Sequence, residues 1–222
     1  MDELVLLKEL IAIGLAGVFY SKDVFDTERY ERIQVIAKEL IAQRSNLTRE
    51  QLDLGFDGEY GYQTPKVDTR AVVWRDGKIL LVQEAAGRWA LPGGWMDVTE
   101  TLTSNALKEL WEEAGVVAQA KRLIMIQDRN LHNPGHSPLT ILKCFIECDY
   151  QTQNFQANVE TQAAKFFAPD DLPELFEAKS SYQQIALCHE AYQAGERWQV
   201  LIDWAPRGRR TRSHRCHRRG GH

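Results

Sequence analysis

Three glutamates lie close together in the sequence, at a spacing that would place their carboxylates side by side on a helix. Glu109, Glu112 and Glu113 occupy positions i, i+3 and i+4, which share one helical face. Carboxylates at this spacing repel one another, so the pattern predicts either a solvated acidic face or a platform for a cation. Hard divalent ions such as Mg²⁺ combine a few carboxylates with waters and substrate phosphates. Metal-dependent phosphate chemistry is therefore one of two interpretations.

The residues around the glutamates favour the metal-binding interpretation. A short strand predicted at residues 88–91 ends in Pro92-Gly93-Gly94, and glycine lets a backbone come close to a metal or a phosphate. A helix is predicted over Leu102 to Ala114, and Gly115 stands where glycine commonly ends a helix. A strand, a glycine loop and an acid-bearing helix in this order would bring a phosphate substrate to the carboxylates.

The segment that carries these features, residues 94–116, resembles the Nudix box, a motif of the form G-x5-E-x7-R-E-L-x-E-E-x-G-V. The chain departs from the motif at Lys108, which keeps the positive charge of the usual arginine but lacks its bidentate guanidinium. The flanking run from Trp89 to Trp95 is also typical of the family. The positions that the resemblance assigns to support of the site geometry are Gly94, Glu100, Lys108 and Gly115.

The resemblance implies a role for each acidic position of the motif. Glu109 and Glu113 would bind metal, Glu112 would bind metal or orient water, and Gly93 would add its carbonyl oxygen. Glu112 and Glu113 are in this way candidate catalytic residues. The implied cofactor is Mg²⁺, with Mn²⁺ as an alternative, and it would neutralise the charge of a pyrophosphate. Clustered carboxylates hold a metal only when ionised, so activity is expected to fall in acid.

The resemblance also implies a fold and a reaction. The fold is α/β (α+β): a Nudix α/β/α sandwich around a mixed sheet, preceded by a small helical N-terminal domain. The reaction is hydrolysis of a nucleoside diphosphate linked to a group X, of the ADP-ribose or CDP-choline type, to a nucleoside monophosphate and X-phosphate. A nucleotide-sensing regulatory Nudix module and an enzyme that processes RNA ends remain open as alternatives.

The motif and the charge of the chain weigh on these alternatives. All glutamates of the motif are intact, which favours an enzyme over a regulatory module. The segment 1–62 has 7 basic and 12 acidic residues, so it would repel the phosphates of a nucleic acid. The expected partner is therefore a small nucleotide rather than a nucleic acid.

The general base of the reaction is expected outside the motif. Glu160 stands at a predicted loop-to-strand junction, near where the family often has a functional glutamate, and is the candidate catalytic residue there. His132 and His136 flank Pro134-Gly135 in a predicted loop, where each is a base, a phosphate contact or a surface side chain.

Three further residues are candidates for substrate binding. Arg70 would contact a phosphate or form a structural ion pair, and the residues alone do not decide between the two. Trp89 and Trp95 would either stack on a nucleobase or pack in the core. Arg70 and Trp89 are carried forward as the substrate-binding candidates.

Residues 1–62 are predicted to form the helical domain. Asp26 is expected to cap its second helix, and Thr48 with Gln51 forms a capping-box pattern ahead of its third. Residues 20–33 resemble the helical domain of a bacterial Nudix subgroup whose members are described as ADP-ribose or CDP-choline pyrophosphatases and are usually dimeric. The resemblance implies a homodimer, with these helices as a dimer surface or a cover for the substrate cleft.

Residues 63–200 are predicted to form the Nudix domain. Asp76-Gly77 between two apolar runs is a strong hairpin signal. Further strands are predicted at 117–127, 139–147 and 160–167, with a loop over 130–138. Ser180 is expected to cap the last helix.

Composition and charge place the chain among globular proteins. Of its 222 residues 44% are hydrophobic and 26% are charged, which suits a protein with a buried core. The net charge of −4 conceals a basic tail, because residues 206–222 hold seven arginines and no acid. That tail is predicted to be disordered or non-native, and the rest of the chain is strongly acidic.

The cysteines and the apolar segments bear on where the protein acts. The four cysteines show no CxxC spacing, and Cys144 and Cys148 are expected to be buried as small apolar side chains. Neither a signal peptide nor a membrane span is recognised. The expected location is the reducing cytoplasm.

Overall fold

The structure is a computed structural model that describes residues 3–56, 59 and 61–203, so the predicted basic tail lies outside the described residues. Three helices come first: α1 (Glu3–Tyr20), α2 (Val24–Arg44) and α3 (Arg49–Phe56). Their shared core consists of Leu7, Ile11, Ala37, Ile41, Leu47, Leu52 and Phe56. At Gly17 the helices α1 and α2 come so close that a Cβ atom would overlap the ring of Tyr30.

The second helix begins one turn earlier than predicted. Asp23 caps α2, because its carboxylate accepts the backbone N–H groups of Phe25 and Asp26. The prediction of Asp26 as the cap was therefore wrong, since this residue already lies in the first turn. The third helix begins as predicted, with Thr48 and Gln51 exchanging reciprocal hydrogen bonds between side chain and backbone.

The rest of the described chain surrounds one mixed sheet. Its strands are β1 (Lys66–Arg75), β2 (Lys78–Glu84), β3 (Trp89–Ala90), β4 (Val116–Asp128), β5 (Ile141–Gln153), β6 (Thr161–Phe167) and β7 (Leu201–Ile202). The strand order is β3-β2-β1-β5-β4-β7. β1 and β3 pair with different parts of one edge of β2, and β6 pairs with the opposite edge. The pairs β1–β5 and β4–β7 are parallel, while the remaining pairs are antiparallel. At one end of the sheet β1 and β5 begin where β2 and β4 finish.

The β1–β2 hairpin has the turn that the sequence predicts. Asp76 and Gly77 have φ angles of 52° and 72°, and a two-residue turn with both φ angles positive matches the twist of paired strands. β4 is one residue longer at each end than predicted, whereas β5 begins two residues later and ends six residues later than predicted.

Helices cover both faces of the sheet. Helix α4 (Leu102–Ala114) packs on the face that carries Val73, whereas helix α6 (Tyr182–Ala194) packs on the face that carries Val72. Successive side chains of a strand point to opposite faces, so β1 contributes to both cores. The predicted α/β/α sandwich with a mixed sheet and preceding helices is confirmed.

Two local predictions in the second half of the chain were wrong. The cap of α6 is Ser181, which forms a capping box with Gln184, rather than Ser180. The predicted loop over 130–138 contains a short helix, α5 (Arg129–His132), which Asp128 caps. A helix of four residues is too short to show a repeat of apolar positions in the sequence, so it could not be recognised there.

Two expectations from composition can be compared with the structure. No helix within 3–56 or 61–203 is long and apolar enough to cross a membrane. Cys144 and Cys148 are buried and free, as predicted for small apolar side chains, and Cys188 is buried as well. Burial raises the pKa of the Cys144 thiol to about 11, so this thiol stays protonated at neutral pH.

Candidate active site

Helix α4 carries the three glutamates and is fixed at both ends. Thr101 and Ser104 form a capping box at its start. At its end Gly115 has a left-handed conformation (φ 60°, ψ 22°), and its N–H donates to two carbonyl groups of the last turn. A Cβ atom at Gly115 would overlap the carbonyl group of Asn154. Glycine is therefore required there both for the conformation and for the close approach.

Glu113 is held against the glycine loop. Its Oε2 accepts the backbone N–H of Gly93 at 2.7 Å, and the side chain is buried, with 8% of the residue exposed. Gly93 has a φ of 143°, and a Cβ atom there would overlap the carbonyl oxygen of Thr69. Burial raises the pKa of Glu113 to about 7, although the Gly93 hydrogen bond and the Arg70 charge oppose that shift.

Glu109 contacts the next residue of the same loop. A Cβ atom on Gly94 would lie 2.8 Å from Oε2 of Glu109, so a larger residue there would displace this carboxylate. Burial is the main cause that raises the pKa of Glu109, and repulsion from Glu112 and Glu160 adds to it. Carboxylates that raise one another's pKa form a site that a cation would stabilise.

One cavity of about 760 Å³ brings the motif residues together at the end of the sheet where β1 and β5 begin. It is lined by all three glutamates of α4, both loop glycines and Glu160: Gly93, Gly94, Glu109, Glu112, Glu113 and Glu160. We call the three α4 glutamates the glutamate cluster. Glu160 belongs to the segment before β6, which Asn158 ties to α4 by donating to the carbonyl group of Glu112 at 3.0 Å. The side chain of Glu160 is exposed.

Arg70 lines the same cavity and forms the ion pair that was one of its two predicted roles. Its guanidinium binds the Asp68 carboxylate in a bidentate manner, at 2.7 and 2.6 Å, and also donates to the Leu91 carbonyl group at 3.1 Å. The pair is buried, so Arg70 is oriented before any ligand binds. Arg70 therefore forms a structural ion pair and also lines the cavity.

The supporting positions of the motif lie beside the cavity. Lys108 pairs with Asp97 at 2.6 Å, which connects α4 to the loop that follows the glycines. Asn105 reinforces this connection, since its side chain donates to Thr69 at 2.8 Å and accepts the Asp97 N–H at 3.2 Å. Neither Lys108 nor Glu100 lines the cavity. The partner of Lys108 is thus an aspartate outside the glutamate cluster.

The two tryptophans have different positions. Trp89 is 8% exposed and packs in the core against Phe167, with ring centroids 4.7 Å apart. Its selection as a substrate-binding candidate does not fit this position, because the ring is enclosed by the core on the α6 side of the sheet. Trp95 is 53% exposed and lines the cavity, so it is the tryptophan placed to contact a ligand.

The two candidate histidines lie away from this cavity. His136 lines a separate cavity beside α1, and His132 ends the short helix α5. Burial lowers the pKa of His132, and its Nε2 has no hydrogen-bond partner among the described residues. The structure therefore does not bring either histidine to the glutamates.

Three further cations in the cavity wall, Arg129, Lys143 and Lys179, were not predicted from the sequence. Together with Arg70, which was predicted, they form a group that we call the cationic cluster. Lys179 pairs with Glu84 at 2.6 Å. Lys143 lies inside an apolar strand run, and burial lowers its pKa to about 7. A lysine in the middle of a buried strand is the one signal in the sequence that could have pointed to it.

The two clusters reach the cavity from opposite sides of the sheet. Residues two positions apart on a strand point to the same face of the sheet. Asp68 and Arg70 therefore share the face of Val72 on β1. Lys143 shares the face of Phe145 on β5. These side chains therefore project from the face that packs on α6, whereas the glutamates come from α4 on the other face. The cavity forms where the sheet ends and the two sets can meet.

Comparison with known proteins gives family matches over most of the chain. Residues 64–188 match the family described as NUDIX domain, and residues 2–56 match the one described as UDP-X-like, N-terminal oligomerisation domain. YjhB of Bacillus subtilis (strain 168), which carries a provisional ADP-ribose pyrophosphatase name, is 36% identical over 177 residues. That match covers 79% of this chain and 85% of YjhB.

Two crystal structures are similar over long stretches. One is a UDP-X diphosphatase with 36% identity and a TM-score of 0.59, covering 90% of this chain and 98% of that one. The other is an ADP-ribose pyrophosphatase from Streptococcus suis 89-1591 with 45% identity and a TM-score of 0.59. It covers 63% of this chain and 100% of that one.

Proposed function

The chain belongs to the Nudix family of hydrolases, and we propose that it hydrolyses a nucleoside diphosphate linked to X with the help of a divalent metal ion. Water attacks one phosphorus of the P–O–P anhydride, the bridging oxygen leaves with the other phosphate, and the products are a nucleoside monophosphate and X-phosphate. The proposed cofactor is Mg²⁺, with Mn²⁺ as an alternative. The observation that carries the proposal is the single cavity lined by the glutamate cluster and its glycine loop.

The residues of this cavity fit a divalent ion. Glu109 and Glu113 are acidic groups with raised pKa values. Both lie against the glycine loop: Glu113 accepts the Gly93 N–H, and a Cβ atom on Gly94 would lie next to a carboxylate oxygen of Glu109. In the described part of the chain no three His, Cys, Asp or Glu side chains are already gathered closely enough to enclose a cation. Mg²⁺ is commonly bound by one or two protein carboxylates, keeps several waters and takes phosphate oxygens as further ligands.

We assign the roles in the reaction as follows. Glu109, Glu113 and the carbonyl group of Gly93 hold the metal, which when bound neutralises pyrophosphate charge and activates water. Glu112 either joins them or orients the attacking water. Glu160, in the wall of the same cavity, accepts the proton of that water. Arg70, fixed by its ion pair, contributes positive charge toward a phosphate.

The test is a panel of nucleoside diphosphate compounds that includes ADP-ribose, CDP-choline and UDP-sugars, with the products identified by mass. We expect Mg²⁺-dependent release of nucleoside monophosphate, and we expect EDTA to abolish it. Binding of nucleotides without any hydrolysis would favour the regulatory alternative. Cleavage of capped or triphosphorylated RNA in preference to every small compound would favour RNA-end processing.

The names of the similar proteins guide the choice of substrate. Relatives named for ADP-ribose and for UDP-X both match over long stretches of this chain. We therefore propose ADP-ribose or a UDP-linked compound ahead of CDP-choline. A kcat/KM for CDP-choline that exceeds both would contradict this order.

We also propose that residues 1–62 form a separate helical domain that joins two copies of the chain into a homodimer, and that residues 63–200 form the catalytic domain. The match to an oligomerisation domain supports the assembly. So does a row of exposed apolar side chains on α1: Val5, Leu6, Leu10, Ile13 and Phe19. Ile13→Glu should convert the dimer to a monomer in light scattering, whereas Val117→Glu on the exposed side of β4 should not. A wild-type monomer at micromolar concentration would contradict the proposal.

A further inference from the structure

Two cations in the cavity wall have no carboxylate partner among the described residues. Lys143 is 2% exposed, and its Nζ donates one hydrogen bond, to the carbonyl oxygen of Lys179. Arg129 is 9% exposed and donates to the carbonyl groups of Gly135 and Pro134, at 2.7 and 3.0 Å. Both side chains line the cavity that holds the glutamate cluster.

Two acids of the cavity wall, Asp68 and Glu84, are already engaged by other cations. Asp68, which lies opposite Lys143 in the β1–β5 ladder, is bound in a bidentate manner by Arg70. Glu84 is bound by Lys179. An ammonium group has three donors, and Lys143 uses one of them in the described part of the chain. Its remaining donors are therefore available to water or to a ligand that enters the cavity.

A buried cation without an ion-pair partner opposes folding, because it loses hydration without a contact to an opposite charge. Arg70, Arg129 and Lys179 repel Lys143, whereas Asp68, which Arg70 already binds, attracts it. A strand position on a packed sheet face would normally hold an apolar side chain, as the neighbouring Phe145 does. The position of Lys143 is explained if the cavity receives an anion in the working protein.

We propose that Lys143 and Arg129 form a subsite that binds an oxyanion of the substrate outside the metal site of the glutamate cluster. The inference rests on the proposed function in one respect, since it takes this cavity as the substrate site. The oxyanion is either the phosphate of the diphosphate that lies farther from the glutamates, or an acidic group on X. Both sources present the same chemistry to the two cations.

The experiment measures binding in EDTA, where metal-dependent turnover is absent. Dissociation constants are determined by calorimetry for ADP-ribose, UDP-glucose and UDP-glucuronic acid, with wild-type protein, Lys143→Met and Lys143→Arg. Lys78→Met is the matched control, because Lys78 is exposed and begins β2 at the hairpin, outside the cavity wall. Melting temperatures show whether each variant is folded.

We expect Lys143→Met to weaken binding by about tenfold or more, since it removes a charged hydrogen-bond donor. Lys143→Arg should retain most of the affinity, and Lys78→Met all of it. An equal loss for UDP-glucose and UDP-glucuronic acid identifies the diphosphate as the source of the oxyanion. A loss confined to UDP-glucuronic acid identifies an acidic X.

A structural role for Lys143 would have a different signature. Met at this position should leave the melting temperature of the ligand-free protein unchanged or higher, because an unpaired buried charge is removed. A loss of affinity under about threefold in folded Lys143→Met would overturn the proposal whatever its melting temperature, and so would absence of binding by the wild-type protein. Binding without hydrolysis in the Mg²⁺ assay would refute the proposed function and leave this subsite standing.

Discussion

The glutamate cluster and the cationic cluster line one cavity, but they are assembled differently. Glu109, Glu112 and Glu113 come from five consecutive positions of one helix, so their proximity follows from the helical repeat alone. Lys143 and Arg129 are 14 positions apart, on β5 and at the start of α5 directly after β4, and the pairing of β4 with β5 brings them together. A local pattern can be recognised as a motif, whereas a cluster made by strand pairing cannot.

The two clusters should fail in different ways when they are mutated. The largest effect is expected for Glu113→Gln, because it removes a proposed metal ligand and keeps the side-chain volume. We expect kcat to fall on the order of 10³-fold, with the melting temperature of the metal-free protein not lowered. The matched control is Glu190→Gln on the exposed side of α6. A loss in kcat below about tenfold would contradict the assignment.

The tryptophans on the two sides of the site provide a second test. Trp89→Ala should lower the free energy of unfolding by about 3–5 kcal/mol, since it leaves a space in the α6-side core. Trp95→Ala should change the free energy of unfolding little and raise KM, because this half-exposed ring lines the cavity. Denaturant unfolding and steady-state kinetics separate the two outcomes. A larger stability loss at Trp95 than at Trp89 would contradict the positions described.

The pH dependence of the metal-free protein should distinguish the glutamate cluster from an ordinary acidic surface. The pKa of Glu113 is raised from 4.5 to about 7, so its protonated form favours folding. That stability is fully present below about pH 4.5 and is lost as pH rises through about 7, a change of about 2–3 kcal/mol. Unfolding in EDTA across this range should show the slope, and Glu113→Gln should flatten it. If the free energy of unfolding changed with pH as steeply in Glu113→Gln as in the wild-type protein, the pH dependence would come from other groups.

Ligand binding should respond to pH with opposite signs at the two clusters. Below about pH 7 Glu113 takes up a proton, which competes with Mg²⁺. Lys143 gains its charge in the same range, because burial lowers its pKa to about 7. Calorimetry should therefore show weaker Mg²⁺ binding and, in EDTA, stronger ADP-ribose binding as pH falls. Lys143→Met should reduce the pH dependence of ADP-ribose binding. If that dependence stayed the same size in the variant, it would come from other residues.

The smallest effect is expected at the motif position that departs from the family. Lys108 reaches Asp97 by a single exposed ion pair, so Lys108→Arg should change kcat/KM by less than about twofold. Lys108→Met should reduce kcat/KM by about fivefold or less, since Asn105 also holds the loop to α4. A loss as large as that of Glu113→Gln would mean that Lys108 acts on the glutamates directly.

The parts of the fold that could be predicted are those with a local physical cause. The Asp76-Gly77 turn, the limits of α4 and the cap at Thr48 each follow from conformational preferences of a few adjacent residues. The predicted cap of α2 was wrong because the sequence offers two aspartates three residues apart, and either could cap a helix.

The candidate site divides in the same way. The spacing of residues 94–116 indicated the glutamates and their glycines, because a helix and a tight loop translate spacing into proximity. The spacing could not show that Trp89 is enclosed and Trp95 is exposed, since both flank the same loop and differ in which side of the sheet they reach. It also could not show that Arg70 is bound to Asp68 while still lining the cavity.

The helix that bears the carboxylates, the glycine loop that contacts them and the family could all be recognised in the amino-acid sequence alone. Which cations line the same cavity as those carboxylates, and which of them lack an ion-pair partner among the described residues, became visible once the chain was folded. A helix places neighbours in sequence side by side, whereas a sheet joins distant segments by backbone hydrogen bonds that do not depend on side-chain identity. Lys143 acquires its place beside the site through that pairing.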